Sequence, residues 1–244
     1  MIEKTIGAAV PATGRRLFPS PDFPTVPVAG EDWVYPVHRI FCVGRNYAEH
    51  AREMGVEVDR EAPFYFTKSA LALVASGSRI PYPPGTRDFH YEMELVAAIG
   101  RQLFRADPET AESALFGYAC GLDMTRRDLQ LAARAKGRPW DLGKDFERSA
   151  VVAPITRAAA LGALGERRIS LSVNGAVRQS ARLADLVWSV PELVSHLSQF
   201  YHLGPGDLIF TGTPAGVGPV VPGDVLRGEI DGLVPVELAI GDPE

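Results

Sequence analysis

The chain has 244 residues, of which 46% are hydrophobic and 23% charged, and its formal net charge is -5. This length can bury the core of one domain, which is the simplest expectation. The weak negative charge excludes a general electrostatic affinity for nucleic acid or anionic membranes, and no apolar run reaches the roughly 18 residues of a transmembrane helix. Residues 1–11 contain one lysine and no apolar segment long enough for export, so we expect a cytoplasmic protein.

Turn-forming residues are spread along the whole chain, which contains 24 glycines and 20 prolines. This distribution is typical of many short strands joined by tight turns, with few helices. Cys42 and Cys120 each lie inside an apolar run, outside the basic setting that activates a thiolate. We therefore expect two buried free thiols and no structural disulfide.

Residues 1–36 are rich in proline and lack a clear hydrophobic period, which predicts an N-terminal arm or lead-in. Residues 37–244 are predicted to form one domain. Its first elements are, in chain order, a strand at 39–43, a helix at 48–54, strands at 64–68, 71–74 and 91–99, a helix at 108–114, a strand at 116–124 and a helix at 125–136.

The last third of the chain continues with short strands. Asn174-Gly175 is a strong signal for a two-residue hairpin turn between strands at 169–173 and 177–180. Pro191 suits the first turn of a helix, a strand after Gly206 ends in a tight loop, and a final strand pair spans 224–230 and 234–240. Together the elements predict an α+β domain that is rich in β structure and has a few short helices.

Two glutamates on the predicted strand at 91–99 are candidate metal ligands. Glu92 and Glu94 lie two residues apart, so both side chains project from the same face. By spacing alone, a solvent-facing edge strand with two ordinary glutamates is the more common explanation. Hydrophobic neighbours argue against that explanation, and oxygen ligands suit a hard cation such as Mg²⁺, Mn²⁺ or Ca²⁺. Asp123, at the end of another apolar strand, would supply a third oxygen.

Four longer motifs occur along the chain: Gly44-Arg-Asn-Tyr-Ala-Glu-His-Ala-Arg-Glu-Met, Tyr91-Glu-Met-Glu-Leu, Asp123-Met-Thr-Arg-Arg-Asp-Leu-Gln and Asp207-Leu-Ile-Phe-Thr-Gly-Thr-Pro-Ala-Gly-Val-Gly. In this order they closely resemble the fumarylacetoacetate hydrolase family, from about residue 40 to the C-terminus. Within the family, the motifs are similar to those of bacterial enzymes that hydrolyse fumarylpyruvate in gentisate breakdown.

The resemblance implies a fold and a cofactor. The family fold is a mixed β-roll, so the expected class is α+β, with the β-rich roll of the fumarylacetoacetate hydrolase C-terminal type. One Mg²⁺ or Mn²⁺, with Ca²⁺ also compatible, is expected on Glu92, Glu94 and Asp123. The resemblance also implies a homodimer and a small-molecule diketo acid as the substrate, and it makes 37–244 a catalytic metal-binding domain.

The first motif contains a candidate general base. His50 and Glu53 are three residues apart, so on a helix they meet on one face. A histidine oriented by a carboxylate can take a proton from water. Seen alone, the two residues would more often be a casual pair on a surface helix. In relatives that hydrolyse acylpyruvates, the matching pair is the dyad that activates water.

The resemblance assigns further roles. Lys144 is expected to stabilise developing negative charge, and substrate contacts are expected from Arg45, Arg127, Gln130, Thr211, Gly212 and Thr213. The alternatives are a salt-bridge or a helix-surface role for Arg127 and a plain turn for 211–213. The chain departs from the family at Lys68-Ser69-Ala70, where relatives often have proline after the lysine, so the geometry of that loop is open.

The expected reaction is metal-dependent hydrolysis of a carbon–carbon bond in an acylpyruvate, with fumarylpyruvate giving fumarate and pyruvate. Two other reactions occur on the same scaffold, namely decarboxylation of oxaloacetate and isomerisation of 2-hydroxyhepta-2,4-diene-1,7-dioate. His50 and Glu53 favour hydrolysis because an attacking water needs a base. A binding module without catalytic activity is the remaining alternative.

Overall fold

The computed structural model describes residue 18 and residues 22–55 and 60–244. The strands in this part of the chain are β1 (Thr25–Pro27), β2 (Val34–Pro36), β3 (Arg39–Gly44), β4 (Phe64–Lys68), β5 (Leu73–Ala75), β6 (Ser78–Tyr82), β7 (Phe89–Tyr91), β8 (Met93–Ile99), β9 (Leu115–Asp123), β10 (Thr125–Arg126), β11 (Ala150–Val152), β12 (Thr156–Arg157), β13 (Arg168–Val173), β14 (Ala176–Arg182), β15 (Asp207–Phe210), β16 (Gly218–Pro219), β17 (Val225–Ile230) and β18 (Val236–Pro243).

The helices in the same residues are short. They are α1 (Ala48–Glu53), α2 (Pro108–Ser113), α3 (Arg127–Ala135), α4 (Asp141–Lys144), α5 (Ala158–Leu161) and α6 (Val190–Ser198), with two 3-10 helices at Ala70–Ala72 and Leu183–Asp185. None of the helices that the structure describes is long and apolar enough to cross a membrane.

The strands form two main sheets. The larger runs in the order β4-β3-β15-β8-β9-β11-β5, with β12 also paired to β9, and the smaller in the order β14-β13-β17-β18-β6. The larger sheet is mixed, because β15 pairs parallel with β3 and antiparallel with β8. A three-stranded sheet, β10-β7-β16, and the β1-β2 pair complete the β structure of the described residues. The predicted α+β class, rich in β structure with few short helices, is confirmed.

Strand β8 lies at the centre of the larger sheet and is buried on both faces. Met93, Leu95 and Ala97 pack into the larger hydrophobic core, whereas Val96 and Ala98 pack into a second core on the other side. Alternation along a strand explains this division. A strand with both faces covered holds its polar side chains in a fixed, dry environment, and β8 carries one of the candidate metal ligands.

Residues 22–36, the described part of the predicted lead-in, pack against the second core through β1 and β2. Val26 and Tyr35 are buried there, and the Tyr35 hydroxyl donates to Ile99 O at 2.8 Å and accepts from Gly206 N at 2.8 Å. Most of residues 1–21 lie outside the described residues, so the boundary between 36 and 37 remains a prediction.

Several element boundaries differ from the sequence prediction. The predicted strand at 91–99 is interrupted at Glu92, where the chain passes from β7 in the small sheet to β8 in the large one. The predicted helix at 125–136 begins at Arg127, because the two residues before it pair with β7 as β10. The predicted strand at 71–74 begins as a 3-10 helix, whose first turn is capped by the Ser69 hydroxyl.

Two local predictions are confirmed. Asn174 and Gly175 join β13 and β14 with φ values of 51° and 79°, both in the left-handed region that a tight hairpin turn requires. Cys42 and Cys120 are buried and free. Burial raises the pKa of the Cys120 thiol to about 12, which keeps it inert.

Candidate active site

Pairing of β8 with β9 brings the three predicted metal ligands together. The strands are antiparallel, with Met93 opposite Leu122, and Asp123 N donates to Glu92 O at 2.9 Å. Asp123 therefore lies opposite Glu92, and Glu94 is one strand period further along. All three side chains are buried, and one carboxylate oxygen of each lies within 4.8 Å of the others.

The three carboxylates are not electrostatically equivalent. Burial, together with the charges of Asp123 and Glu92, raises the pKa of Glu94 well above its usual range, although the hydrogen bond from Gly212 N at 2.7 Å and the charge of Lys144 oppose this. Burial also disfavours ionised Glu92, but the charges of Lys144 and Arg127 outweigh it and lower the Glu92 pKa. The negative charge of Glu92 is thus compensated by Lys144 and Arg127, whereas the negative charge near Glu94 is in excess.

Lys144 ends α4 and projects into this cluster. Its Nζ donates to Glu92 Oε2, Asp123 Oδ2 and Thr125 Oγ1, each at 2.7 Å. An ammonium group has three N–H donors, so all of them are in use. Burial would lower the Lys144 pKa, but the charges of Asp123 and Glu92 raise it overall, and the side chain stays cationic.

A second buried lysine, Lys68 at the end of β4, was not assigned a role from the sequence. Its side chain is 0% exposed, and Nζ lies 2.8 Å from Asp123 Oδ1 as an ion pair. Its hydrogen bonds go instead to Met124 O at 3.1 Å and to Lys144 O. The chain thus places two ammonium groups around one aspartate, although Lys68-Ser69-Ala70 lacks the proline common in relatives.

The donor set fits a hard divalent cation. Asp123 Oδ1 accepts no hydrogen bond from the described residues, its buried contact being the ion pair with Lys68, and burial beside Asp123 and Glu92 raises the pKa of Glu94. Three carboxylate oxygens are the ligands that Mg²⁺ and Mn²⁺ prefer, and a bound cation would satisfy both residues. Glu92, Glu94 and Asp123 can therefore hold a divalent metal ion, as predicted.

The His50–Glu53 dyad lies on α1. His50 is 7% exposed, and its Nδ1 lies 3.2 Å from Glu53 Oε2. Gly216 N donates to both Glu53 oxygens, each at 3.2 Å. The loop after β15 thereby fixes the carboxylate that orients the imidazole. No property of the sequence pointed to this contact of Gly216.

Several of these groups line one cleft. Of the predicted site residues, the structure places Arg45, His50, Glu92, Glu94, Arg127, Gln130, Lys144 and Thr213 in its lining. Arg127, the first residue of α3, donates to Glu92 Oε1 and to Gln130 Oε1, each at 2.5 Å. Met54, Phe66, Leu131, Arg134 and Trp140 also line the cleft, and sequence reasoning gave none of them a role.

Most polar groups of the loop at 211–213 make hydrogen bonds within the protein. Thr211 Oγ1 donates to Leu95 O at 2.9 Å, and the Gly212 amide is bonded to Glu94. Thr213 lines the cleft, and its hydroxyl accepts from Gln179 Nε2 at 2.9 Å. Substrate contact remains a prediction for all three residues, with Thr213 the one whose side chain reaches the cleft.

Two buried amides that sequence analysis missed hold this loop in place. Asn46 donates to Thr211 O at 2.8 Å and to Trp188 O at 2.9 Å, and a Cβ on Gly212 would come within 2.7 Å of Asn46 Cβ. Gln179 accepts from Met93 N at 3.0 Å. Asn46 lies inside a recognised motif, whereas Gln179 lies on a mostly exposed strand and no local signal identifies it.

Comparisons with known proteins agree with this arrangement. Residues 39–240 match the family described as fumarylacetoacetate (FAA) hydrolase C-terminal. The chain is 50% identical over 193 residues to the fumarylpyruvate hydrolase of Ralstonia sp., covering 78% of this chain and 100% of that protein. It is 40% identical over 206 residues to the mitochondrial oxaloacetate tautomerase FAHD1 of Homo sapiens, covering 84% and 92%.

A solved structure is also similar. The crystal structure of fumarylpyruvate hydrolase from Pseudomonas aeruginosa, in complex with Mn²⁺ and pyruvate, has a TM-score of 0.90 at 48% identity and covers 93% of this chain and 100% of that one. The resemblance found in the four sequence motifs is thus confirmed over residues 39–240. The chain belongs to the fumarylacetoacetate hydrolase family, and its β-rich fold is of that family's type.

Proposed function

We propose that this protein is a metal-dependent hydrolase that cleaves a carbon–carbon bond of an acylpyruvate, converting fumarylpyruvate and water to fumarate and pyruvate. One observation carries the proposal: a single cleft is lined both by carboxylates of a metal-binding cluster and by a histidine that a glutamate orients. The Ralstonia and Pseudomonas relatives, which are named for this activity, support the choice of substrate.

In this proposal Glu92, Glu94 and Asp123 hold one Mg²⁺ or Mn²⁺, which would supply Lewis acidity toward the oxygens at the pyruvate end of the substrate. Arg127 binds oxygens of the same end, because its planar guanidinium lies beside Glu92 in the cleft lining. Gln130 is held by Arg127 and presents its amide to the same region.

His50 acts as the general base. In the neutral tautomer whose Nδ1–H donates to the Glu53 carboxylate, Nε2 is the nitrogen that can accept a proton. Nε2 takes a proton from a water molecule while the water oxygen attacks the carbonyl carbon of the acyl group. The bond from this carbon to the methylene carbon then breaks, and its electron pair leaves with the pyruvate enolate. The imidazolium returns the proton to the methylene carbon, giving pyruvate and the free acid.

Negative charge develops on the attacked carbonyl oxygen, and Lys144 and Gln130 are the proposed donors to it. Lys144 Nζ already makes three hydrogen bonds, so it reaches the substrate by exchanging one of them. The exchange is favourable in the transition state, when the carbonyl oxygen carries a full charge.

Chemistry on oxaloacetate is the second candidate, since the human relative that is 40% identical is named an oxaloacetate tautomerase. Tautomerisation moves a proton between carbon and oxygen and consumes no water. A base held for attack by water favours hydrolysis, but the same His50 can transfer the proton that a tautomerase requires. The two functions therefore share residues and differ in their products.

A direct assay separates these candidates. Ultraviolet loss of the enol of fumarylpyruvate is followed with purified protein and Mg²⁺ or Mn²⁺, with EDTA as the control, and the products are quantified. We expect metal-dependent loss with equimolar fumarate and pyruvate. If fumarylpyruvate is stable while the enol and keto forms of oxaloacetate interconvert rapidly, the hydrolase proposal is wrong and the tautomerase takes its place.

We further propose a cytoplasmic homodimer that acts in the breakdown of aromatic compounds. A surface depression beside the cleft carries aromatic side chains, of which Phe64, Phe200 and Tyr201 are exposed. Contiguous apolar surface of this kind is typical of interfaces. Light scattering after gel filtration tests the assembly, and a monomer at micromolar concentration would contradict it.

A further inference from the structure

The cleft changes character from its buried end to its mouth. At the buried end Glu92, Glu94, Lys144, Arg127 and Gln130 are each no more than 5% exposed. The rest of the lining includes apolar Phe66, Leu131 and Trp140 and basic Arg45 and Arg134. Arg45, Phe66, Arg134 and Trp140 also line the neighbouring surface depression, which identifies them as the mouth of the cleft.

Helix α3 runs from the buried end of the cleft towards its mouth. Arg127, Gln130 and Arg134 are three and four residues apart, so they lie on successive turns of one helix face. At about 1.5 Å per residue, Arg134 is roughly 10 Å further along the helix axis than Arg127. The first two residues are engaged with each other and with Glu92. Arg134 is the third polar group in the row.

The Arg134 guanidinium is anchored but lacks an acidic partner among the residues that the structure describes. Its Nη1 donates to Met54 O at 3.2 Å, and no carboxylate lies within ion-pair distance in this part of the chain. The side chain is half-buried in the cleft lining. A guanidinium in this setting has donors left for a planar anion, which it can bind through two parallel hydrogen bonds.

We infer that Arg134 binds a carboxylate at the far end of the acyl group, so that the cleft selects acylpyruvates that are dicarboxylates. The inference rests on the proposed function, because it requires the pyruvate end to lie at the buried carboxylate cluster. A seven-carbon diketo diacid has six carbon–carbon bonds of about 1.5 Å, which spans a distance comparable with that from Arg127 to Arg134. Its unsaturated middle would pass along Phe66 and Trp140, whose ring centroids lie 5.9 Å apart.

The test compares two substrates that differ only at the far end. Fumarylpyruvate ends in a carboxylate, and crotonylpyruvate carries a methyl group in its place. Arg134→Met keeps the apolar stem but removes the charge, and Arg134→Lys restores the charge. Lys136→Gln is the matched control, because it removes one positive charge at the same end of α3 from an exposed residue outside the cleft lining.

We expect Arg134→Met to lower kcat/KM for fumarylpyruvate about 10–100-fold, mainly through KM, since a charge-assisted hydrogen bond is lost. Crotonylpyruvate should change less than about twofold, Arg134→Lys should recover part of the loss, and Lys136→Gln should match the wild type. Mn²⁺ affinity, measured by calorimetry, should be the same in all variants.

Other outcomes overturn the inference. Equal losses on both substrates would mean that Arg134 acts by holding Met54 and the end of α1, and no loss on either would mean that it does not contact the substrate. A larger selective loss in Arg45→Met would assign the carboxylate to Arg45 instead. Failure of the wild type to cleave either compound would remove the proposed function itself, and the inference with it.

Discussion

The carboxylate cluster and the His50–Glu53 dyad face the same cleft but are held in place in different ways. Glu94 and Asp123 lie on β8 and β9, which are seven and nine residues long and paired along their length, and Glu92 immediately precedes β8. The dyad lies on a helix of six residues. The Asp123 side chain is 0% exposed, and the Glu53 side chain is 37% exposed.

Because the two regions are held differently, substitutions in them should have different consequences. Buried charges of both signs lie around Asp123, so removing any one of them changes the electrostatic balance of the fold as well as the candidate metal site. In the dyad His50 is buried, but its partner Glu53 is partly exposed and is held by the loop amide of Gly216. Substitutions in the cluster should therefore change stability and metal affinity together, whereas substitutions in the dyad should change turnover alone.

The largest effect is expected for Glu94→Gln. Loss of one ligand should weaken Mn²⁺ binding and lower turnover by more than about 10⁴-fold. In EDTA, however, the variant should unfold at a higher temperature than the wild type. The reason is that burial and the charges of Asp123 and Glu92 disfavour ionised Glu94, as its raised pKa indicates, while a glutamine oxygen can still accept from Gly212 N.

Calorimetric titration with Mn²⁺ and thermal unfolding with and without EDTA provide the two readouts for this variant. A lower unfolding temperature in EDTA would show that Glu94 stabilises the metal-free fold, contrary to the charge argument. Retention of wild-type Mn²⁺ affinity would exclude Glu94 from the ligand set.

His50→Ala tests the other region. Removing the base should lower turnover about 10²–10⁴-fold, while Mn²⁺ affinity and the unfolding temperature stay close to those of the wild type. Steady-state kinetics on fumarylpyruvate and Mn²⁺ titration of the same preparation give both quantities. Unchanged turnover would remove the dyad from the mechanism, and a parallel loss of Mn²⁺ binding would contradict the separation of the two regions.

Local sequence patterns located most of the longer strands and helices, but not short elements such as β1, β2, β11 and α4. Asn174-Gly175 specified a hairpin because both residues adopt positive φ, and alternating apolar residues marked the buried β8. The patterns did not give the sheet order, since β3 pairs with β15 across more than 160 residues of sequence. The patterns also did not predict the interruption at Glu92, because it arises where the chain passes from one sheet to another.

The site was predicted mainly from motifs, and the misses have a physical cause. Glu92, Glu94 and Asp123 could be proposed as ligands from residue type and spacing, and the structure brings them together. The residues that hold these carboxylates and the dyad in place come from distant parts of the chain. Lys68, Gln179 and Gly216 contact the site only because distant elements fold next to it, and residue type alone gives no sign of such contacts.

Lys68→Met is expected to have an intermediate effect that opposes that of Glu94→Gln. It leaves the buried Asp123 with one ammonium partner fewer, which should destabilise the metal-free protein by about 3–5 kcal/mol. Activity with Mn²⁺ should fall about 10–100-fold, as is usual when a group that orients a metal ligand is removed.

Bound Mn²⁺ should recover part of the lost stability of Lys68→Met, because the cation replaces the missing positive charge. Thermal unfolding in EDTA and in Mn²⁺ measures this difference. If the variant unfolds at the wild-type temperature in EDTA, the ion pair with Asp123 contributes nothing to the fold.

The smallest effect is expected for Gly216→Ala, which acts on the dyad through the backbone amide that holds Glu53. Gly216 has φ +95°, and a Cβ there would overlap the carbonyl oxygen of Arg178, so the amide that donates to Glu53 must move. We expect kcat to fall about 3–10-fold, with KM and Mn²⁺ affinity unchanged, and a strain cost of about 1–3 kcal/mol.

Gly223→Ala is the matched control for this last substitution. Gly223 has nearly the same φ, +96°, but nothing lies within 4 Å of a Cβ added there, and it makes no contact with the dyad. Both variants should lose stability through backbone strain, yet only Gly216→Ala should lose turnover. If Gly223→Ala lowers kcat as much, the loss reflects general destabilisation, and the orientation of His50 does not depend on the loop that holds Glu53.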